Sequence, residues 1–361
     1  MKAGRNRVLG PAGAGLAAFA LALSACAGPD ESGREILTGA GATFAMPLIT
    51  VWASEYEAEG GGRVNYNSIG SGGGIRAHID HTVDFAATEA PLSVEQFGRA
   101  PGTLTLPFTI GTVTMAYNVP GIEELRLTGE VLAEIYLERI TRWNDPALQE
   151  LNPGVDLPDR TIVVVHRSDG SGTTYVFTDY LNKVSGDWSD RVGFGTAVSW
   201  PTGIGGNGNE GVAGAIGNNP YSLGYIELSY VSSLGLPTAF IRNRAGIYVQ
   251  PTLQGGTAAA AAVDALPDGH ESWHEVSFTD APGDDSYPIS SFSYFLVHED
   301  LGRLGSRGRA EALVNWLAWT LGEGQVFNNT VSNAAIPESV QALNFRTLDR
   351  ITFDGEPLRS R

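Results

Sequence analysis

The sequence predicts an α/β protein with two compact domains. The 361 residues are enough for two cores, and strand-like and helix-like segments alternate along the chain. Three glycine-rich loops each follow a strand-like segment and precede a helix-like one. Such alternation is typical of mostly parallel sheets covered by helices. Because ligands of open α/β sheets bind beyond the carboxyl ends of the strands, the loops are also candidate functional elements.

The predicted strands are short runs rich in apolar and β-branched residues. They cover residues 36–37, 64–66, 83–86, 110–121, 161–166, 222–231 and 289–300. Apolar residues at helical spacing predict helices over 48–60, 128–140 and 310–324, and a further helix that begins near Thr173. Thr128 is suited to cap the second of these helices, and Gly322 is suited to end the third.

The three loops have the sequences GAGATF (39–44), SIGSGGG (68–74) and SDGSGTT (168–174). Their glycines let the backbone approach a ligand closely, and their hydroxyls and the nearby Arg167 offer hydrogen-bond donors. The free N–H groups of a helix that begins near Thr173 would also favour an anion. Taken alone, the third loop is equally consistent with an ordinary turn. The three loops together predict a site for a small oxyanion.

Nucleotide or ester hydrolysis fits the sequence less well. No lysine follows these glycines, as it does in the phosphate-binding loop of nucleotide hydrolases. Ser171 lies between glycines, but Asp169 stands where the esterase motif requires a glycine. His166 is close to Ser171 along the chain, yet a strand-to-loop path of five residues does not make it a base for that serine.

Metal and nucleic-acid binding are also disfavoured. The pairs His78/His81 and His270/His274 have the spacing of metal ligands, but each lacks an obvious third ligand, so no metal site is predicted. The formal net charge of −17 argues against nucleic acid as a partner, because a phosphate backbone calls for a basic face. A local cluster of N–H dipoles can still hold a small anion, since distant surface charges are screened by salt.

Residues 1–25 resemble a lipoprotein signal peptide. Lys2, Arg5 and Arg7 precede an apolar segment that ends just before Cys26, the one cysteine in the chain. We therefore expect cleavage before Cys26 and lipid on its thiol, with residues 26–35 as a tether. The protein would then be anchored to the outer face of the cell membrane. The alternative is an ordinary secretory signal that happens to end near a cysteine.

Several long motifs resemble those of the phosphate-binding proteins of phosphate-specific ABC transporters. They are LTGAGATFAMPLITVWASEY, VNYNSIGSGGGIRAHIDHTVDFAATEAPLS, VVVHRSDGSGTTYVFTDYL and LGYIELSYV, with support from TLPFTIGTVTMAYNVPG and LAEIYLERITRWNDPALQELNPG. The match runs from about Ile36 to the C-terminal region. The resemblance implies a two-lobe periplasmic-binding-protein fold of type II. Two hinge crossings would join the α/β lobes, and the ligand would lie in the cleft between them.

By this resemblance, residues 36–112 and 288–361 form lobe I, and residues 113–287 form lobe II. The crossings are expected near Phe108–Val113 and Tyr287–Ser291. Asp169 is implied to hold Arg167 in place. The residues implied to bind phosphate are Thr43, Phe44 (through its backbone N–H), Ser71, Gly72, Glu89, Arg167, Ser171, Gly172 and Thr173.

Glu89 departs from the family pattern, which usually has an aspartate at this position. Either carboxylate can accept a hydrogen bond from the proton of phosphate, whereas sulfate has no proton to offer. The resemblance further implies a monomer that is not an enzyme and needs no cofactor. It would bind inorganic phosphate and deliver it to an ABC transporter permease with a cytoplasmic ATPase. The alternative is a surface phosphatase or scavenger built on the same fold.

Overall fold

The computed structural model describes residues 34–263 and 265–359. The predicted signal peptide, the predicted lipidation site Cys26 and most of the predicted tether lie outside the described residues. Within the two described ranges, no helix is both long enough and apolar enough to cross a lipid bilayer.

Strands and helices alternate along the chain, largely as the sequence predicts. In the described ranges the strands are β1 (Ile36–Gly41), β2 (Arg63–Ser68), β3 (Phe85–Thr88), β4 (Thr103–Asn118), β5 (Arg126–Leu127), β6 (Val163–Arg167), β7 (Ile204–Gly206), β8 (Ser222–Glu227), β9 (Phe240–Arg242), β10 (Tyr248–Val249), β11 (Ser290–His298), β12 (Thr352–Phe353) and β13 (Glu356–Pro357). The α-helices there are α1 (Met46–Ala58), α2 (Ser71–Ile79), α3 (Val94–Arg99), α4 (Gly129–Tyr136), α5 (Pro146–Leu151), α6 (Gly172–Val184), α7 (Gly186–Arg191), α8 (Gly208–Asn218), α9 (Leu228–Leu234), α10 (Leu253–Ala260), α11 (Arg307–Leu321) and α12 (Glu338–Leu348). Short 3-10 helices cover Gly302–Leu304 and Glu323–Val331.

An eight-stranded sheet with the strand order β2-β1-β3-β11-β4-β8-β6-β7 runs through the molecule. Its two parts, β2-β1-β3-β11 (the first half-sheet) and β8-β6-β7 (the second half-sheet), are connected by the long strand β4. Residues 103–112 of β4 pair with β11, and residues 113–118 pair with β8. The partner therefore changes between Thr112 and Val113. Smaller sheets have the orders β10-β9-β5 and β12-β13.

The expectation of mostly parallel sheets is correct only for the outer strands. β1 runs parallel to β2 and β3, and β6 runs parallel to β7 and β8. By contrast, β11 is antiparallel to β3 and β4, and β4 is antiparallel to β8. The parallel neighbours are joined through helices, as parallel pairs require, whereas β4 and β11 are not part of such units.

Two helix boundaries lie where the sequence predicts them, and one predicted strand is too long. The side chain of Thr128 caps α4 by accepting a hydrogen bond from Val131 N at 3.3 Å, and α11 ends before Gly322. The strand predicted over 222–231 ends at Glu227, whose carboxylate accepts from Ser229 N at 2.9 Å and caps α9. Strand propensity alone does not reveal such a cap, because it depends on a buried side chain.

Buried aromatic rings hold α1 and α6 against the sheet. In the first half-sheet, Phe295 stacks on Phe108 with 4.0 Å between ring centroids, and Trp52 of α1 meets Phe108 edge-on at 5.7 Å. Beside the second half-sheet, Phe177 of α6 stacks on Tyr225 at 4.5 Å. Because these contacts fix both helices, they also fix the loops at the helix N-termini.

Helix α2 approaches β1 so closely that only glycine fits at the contact. A Cβ atom on the buried Gly74 would lie 2.6 Å from Gly41 Cα and 3.0 Å from Ala40 O. These are backbone atoms of a central strand, so they cannot move aside without disturbing the sheet. The contact thereby sets the position of α2 and of the turn at its N-terminus.

We expect Gly74→Ala to lower the free energy of unfolding by about 1–3 kcal/mol, because the added methyl group overpacks the contact with β1. The matched control is Gly214→Ala in α8, where an added Cβ would meet no atom within 4 Å. The control should be more stable than the parent by up to about 1 kcal/mol, owing to the higher helix propensity of alanine. Urea unfolding of both variants measures the difference. Equal stabilities would contradict the close contact.

Candidate functional site

The N-termini of α2, α6 and α8 meet at one place, which we call the junction. Gly72 N, in the first turn of α2, donates to Gly170 O, which lies just before α6, at 2.9 Å. Gly208 N, the first of α8, donates to Asp169 Oδ1 at 3.1 Å. Each helix N-terminus carries a partial positive charge. Three of them together therefore favour an anion between them.

Glycine is required where the turns of the junction touch. Gly70, which precedes α2, has a φ of 76°, in the left-handed region that glycine adopts without strain. A Cβ atom on Gly172 would lie 2.2 Å from Glu89 Oε2 and 2.5 Å from Ser71 Oγ. The start of α6 is thus in direct contact with Glu89, at the end of β3, and with Ser71, at the start of α2.

Arg167 supplies a buried cation at the junction. It is the last residue of β6, and its side chain is 1% exposed. Nε and Nη2 donate to the two oxygens of Asp169 at 2.8 and 2.5 Å, and Nη1 donates to Thr173 Oγ1 at 3.2 Å. A guanidinium group has five N–H donors. Two of them therefore have no bonded acceptor among the described residues and can be offered to a ligand.

The charge of Asp169 is maintained by Arg167. Burial acts to raise the pKa of the Asp169 carboxyl, but the hydrogen bonds and the positive charge of Arg167 outweigh it and hold the pKa below its usual value. Asp169 is therefore ionised at neutral pH, and it fixes the plane of the guanidinium through two hydrogen bonds. These two hydrogen bonds are consistent with the role that the family resemblance implies for Asp169.

Glu89 is fully buried at the junction and bonded by two hydroxyls. Its Oε2 accepts from Ser71 Oγ, and its Oε1 accepts from Ser293 Oγ, both at 3.0 Å. Burial raises the pKa of the Glu89 carboxyl to about 7, although the two hydroxyls and the charge of Arg167 act to lower it. Near neutral pH, Glu89 can accept a hydrogen bond when ionised and donate one when protonated.

Thr43 and Phe44 follow β1, and Thr43 reaches the junction through Asn209. Thr43 Oγ1 accepts hydrogen bonds from Asn209 of α8, and Thr43 O accepts one from Tyr230 Oη at 2.7 Å. The ring of Phe44 is buried over Gly111, where an added Cβ would lie 2.1 Å from it. Phe44 is therefore held in the core by its ring, which leaves its backbone as the part suited to bind a ligand.

Ser171 and Thr173 open α6. Ser171 is the N-cap, and its Oγ accepts from Thr174 N at 3.1 Å, so its own proton stays available to another acceptor. Thr173 Oγ1 is fully buried and accepts from Arg167. The structure thus brings the predicted residues together. Gly72 and Ser71 differ in one respect, because the N–H of Gly72 is already bonded to Gly170 O and the hydroxyl of Ser71 to Glu89 Oε2.

Asn209, Ser293 and Glu227 also lie at or near the junction, although the sequence motifs do not predict them. Asn209 is fully buried at the start of α8, in the stretch GGNGNEG (205–211), which follows β7. This stretch has the same pattern as the other three loops, with a strand before it and a helix after it, so that pattern could have identified it. Ser293 lies within β11, 204 residues from Glu89, and no local signal connects the two.

Glu227 is a second buried acid near the junction. Its Oε2 accepts from Ser229, and within the described part of the chain no hydrogen-bond donor reaches its Oε1. Burial raises the pKa of the Glu227 carboxyl to about 8, and the negative charge of Glu89 adds to the shift, against the hydrogen bonds from Ser229. Glu227 is therefore mainly protonated at neutral pH and adds little negative charge to the junction.

The arrangement does not favour the alternative chemistries. His166 Nδ1 faces Arg167 O at 2.9 Å, and its ring stacks on Trp200, so it is not oriented as a base for Ser171. His78 and His81 both stack with the ring of His298, at 4.2 and 4.1 Å between centroids. Within the described ranges no three His, Cys, Asp or Glu side chains are grouped to hold a metal ion.

The chain is similar to known binding proteins. Residues 28–323 match the PBP superfamily domain. The chain is 41% identical over 313 residues to "Phosphate-binding protein PstS" of Pasteurella multocida, covering 85% of this chain and 88% of the relative. It is 36% identical over 335 residues to the protein of the same name from Methanocaldococcus jannaschii, covering 88% and 86%.

Solved structures with bound phosphate share the fold. A high affinity periplasmic phosphate-binding protein (PfluDING) aligns with a TM-score of 0.70 and 18% identity, over 88% of this chain and 98% of the other. A putative phosphate ABC transporter substrate-binding protein from Clostridium perfringens aligns with a TM-score of 0.61 and 16% identity, over 84% and 100%. The fold is thus that of the periplasmic binding proteins, as the sequence predicts. With relatives this similar over most of its length, the chain belongs to the PstS family of phosphate-binding proteins.

Proposed function

We propose that this protein binds one inorganic phosphate outside the cell and delivers it to the permease of a phosphate ABC transporter with a cytoplasmic ATPase. The observation that carries the proposal is the meeting of three helix N-termini around a buried arginine and a buried carboxyl. Relatives named as phosphate-binding proteins support it. The protein holds its ligand by hydrogen bonds and breaks no bond in it, so it acts as a binding protein and not as an enzyme.

The donors of the site have distinct roles. Arg167 offers its two remaining N–H groups to the ligand, and Gly172 and Thr173 add the N–H groups of the first turn of α6. The hydroxyls of Thr43, Ser171 and Thr173 and the backbone N–H of Phe44 complete the set of donors. Ser71 and Gly72 line the site, but the hydroxyl proton of Ser71 is already donated to Glu89 Oε2. Because the site is dry when closed, each hydrogen bond to the charged ligand is strengthened.

The cleft divides the chain into lobe I (36–112 and 288–361) and lobe II (113–287). Support comes from β4, which changes its partner between Thr112 and Val113, and from β11, which begins at Ser290. Thr43, Ser71 and Glu89 belong to lobe I, whereas Arg167 and α6 belong to lobe II. Phosphate would therefore bind by joining the two lobes, with one lobe moving on the other about residues 108–113 and 287–291.

Replacement of the cation should weaken binding most. Arg167→Ala removes a buried positive charge and leaves Asp169 unpaired, so we expect a loss of roughly 3–5 kcal/mol in phosphate binding free energy. The matched control is Arg126→Ala, because Arg126 pairs with Glu124 at the surface and is 44% exposed. Titration calorimetry measures both variants, with circular dichroism to confirm folding. A folded Arg167→Ala protein with an affinity within about threefold of the parent would contradict the assignment.

Glu89 should make the exclusion of sulfate depend on pH. Sulfate has no proton, so it can bind only when Glu89 is protonated and donates to it. With a pKa of about 7 for Glu89, the protonated fraction and the sulfate affinity should fall by about tenfold between pH 6 and pH 8. Glu89→Gln always offers a donor, so this variant should bind sulfate with an affinity that does not change over the same range.

The control for this experiment is Glu95→Gln, because Glu95 is exposed on α3. The control should keep the pH dependence of the parent protein. Competition titrations of sulfate against phosphate at pH 6, 7 and 8 give the affinities. If the parent protein binds sulfate equally at all three pH values, or if Glu89→Gln discriminates as the parent does, Glu89 does not have this role.

The membrane anchor completes the proposal. Lipid on Cys26 would hold the protein at the outer face of the membrane beside the permease, where it would act as a monomer. The apolar segment that ends just before a lone cysteine supports this.

We expect Cys26→Ala to remain without lipid, and Ser32→Ala, in the tether, to be lipidated normally. Mass spectrometry of the membrane and medium fractions decides, and lipid on the Cys26→Ala protein would rule the anchor out.

A further inference from the structure

Asn209 lies between two of the hydroxyls that we expect to bind phosphate. It is fully buried, near the start of α8. Its backbone N and its Nδ2 both donate to Thr43 Oγ1, at 3.2 and 3.0 Å, and Nδ2 also lies 3.4 Å from Thr173 Oγ1. Thr43 follows β1 of the first half-sheet, and Thr173 opens α6 beside the second. Asn209 therefore links the two sides of the junction.

The backbone of Glu227 fixes which way the amide of Asn209 faces. Glu227 N donates to Asn209 Oδ1 at 3.4 Å. If the amide were turned over, its NH₂ group would face this N–H, and its oxygen would replace Nδ2 beside Thr43 Oγ1. Two donors would then face each other in a buried place, which is unfavourable. Nδ2 therefore points to the threonine hydroxyls.

This orientation determines how the hydroxyl of Thr43 can bond. A hydroxyl has one proton to donate and two lone pairs that accept. Both lone pairs of Thr43 Oγ1 are engaged by the N–H groups of Asn209. Its proton must therefore point to a different acceptor. In a site lined by helix N-termini, an oxygen of a bound anion is the natural acceptor.

The hydroxyl of Thr173 is also surrounded by donors. Its Oγ1 accepts from Arg167 Nη1 at 3.2 Å, and Asn209 Nδ2 lies at 3.4 Å as a second, longer donor. Its proton has Asn209 Oδ1 as an alternative acceptor, but at 3.5 Å this contact is at the limit of hydrogen bonding. An anion oxygen at ordinary distance would be preferred.

We propose that Asn209 is a positioning residue that makes the hydroxyls of Thr43 and Thr173 donors to the bound oxyanion. The inference rests on the proposed phosphate site, and it assigns the direction of hydrogen bonding there. Without Asn209 both hydroxyls could rotate and present lone pairs to the ligand. Asn209 thus favours ligands whose oxygens accept hydrogen bonds, and do not donate them, at Thr43 and Thr173.

A double-mutant cycle on phosphate affinity tests the proposal. Thr43→Val removes the donor and should weaken binding by roughly tenfold or more, as for a hydrogen bond to a charged group. Asn209→Leu removes the group that orients the donor, with little change in shape. If Asn209 acts through Thr43, the double variant should bind little more weakly than Asn209→Leu alone. Losses that multiply independently would overturn the proposal.

The melting temperature of each variant without ligand shows whether Asn209 has a structural role, because loss of a structural residue lowers it. A purely structural role would not make the effects of the two substitutions on phosphate affinity depend on each other. Asn209→Asp is a second test that keeps the size of the side chain. Its carboxylate can only accept, so it would draw both threonine protons away from the ligand and repel the anion. We expect it to weaken phosphate binding by more than Asn209→Leu does. Binding equal to that of the parent protein would overturn the proposal.

The control for Asn209→Asp is Asn218→Asp, which adds the same charge at the exposed far end of α8. It should leave the affinity within about threefold of the parent. Phosphate binding by the parent protein shows whether the proposed function or only the role of Asn209 is wrong. If it does not bind phosphate at all, the proposed function fails. If it binds phosphate and the cycle shows independent losses, only the role of Asn209 fails.

Discussion

The structure depends on the convergence of three helix N-termini with a buried arginine. Positive ends of α2, α6 and α8 in contact repel one another, and Arg167 adds a full charge. Asp169 relieves part of this by bonding to Arg167 and to the first N–H of α8. What remains is a place that is short of negative charge, even though the chain as a whole is strongly acidic. The negative charges on the surface are screened by salt and have little effect at the junction, whereas the buried positive charge of Arg167 is screened much less.

The acids around the junction are arranged so that they do not cancel this potential. Asp169 is ionised but is committed to Arg167 and Gly208. Glu227 is mainly neutral, and Glu89 is close to the midpoint of its titration. An oxyanion that carries a proton can share it with Glu89, whereas one without a proton depends on Glu89 to supply one. Discrimination between similar anions then comes from the number of protons in the site as much as from its shape.

Much of this could be predicted from the sequence because the site is built from local motifs. GAGATF, SIGSGGG and SDGSGTT follow strands and precede helices, and each contributes residues that meet at the junction. The prediction missed what depends on distant parts of the chain: Ser293 on β11, the cap that Glu227 provides for α9, and the antiparallel direction of β4 and β11. Asn209 combines a local signal with a distant contact. Its stretch GGNGNEG has the same pattern as the other loops, but its partner Thr43 is distant along the chain.

A crystal structure of the mature protein with phosphate would show directly where the anion binds. We expect one phosphate at the junction, bonded to the two remaining N–H groups of Arg167 and to the N-terminal turn of α6. One of its oxygens should face Glu89, and the hydroxyls of Thr43 and Thr173 should be directed toward it. Phosphate bound at another place, or a junction without phosphate in a protein that binds phosphate in solution, would show that the junction is not the binding site.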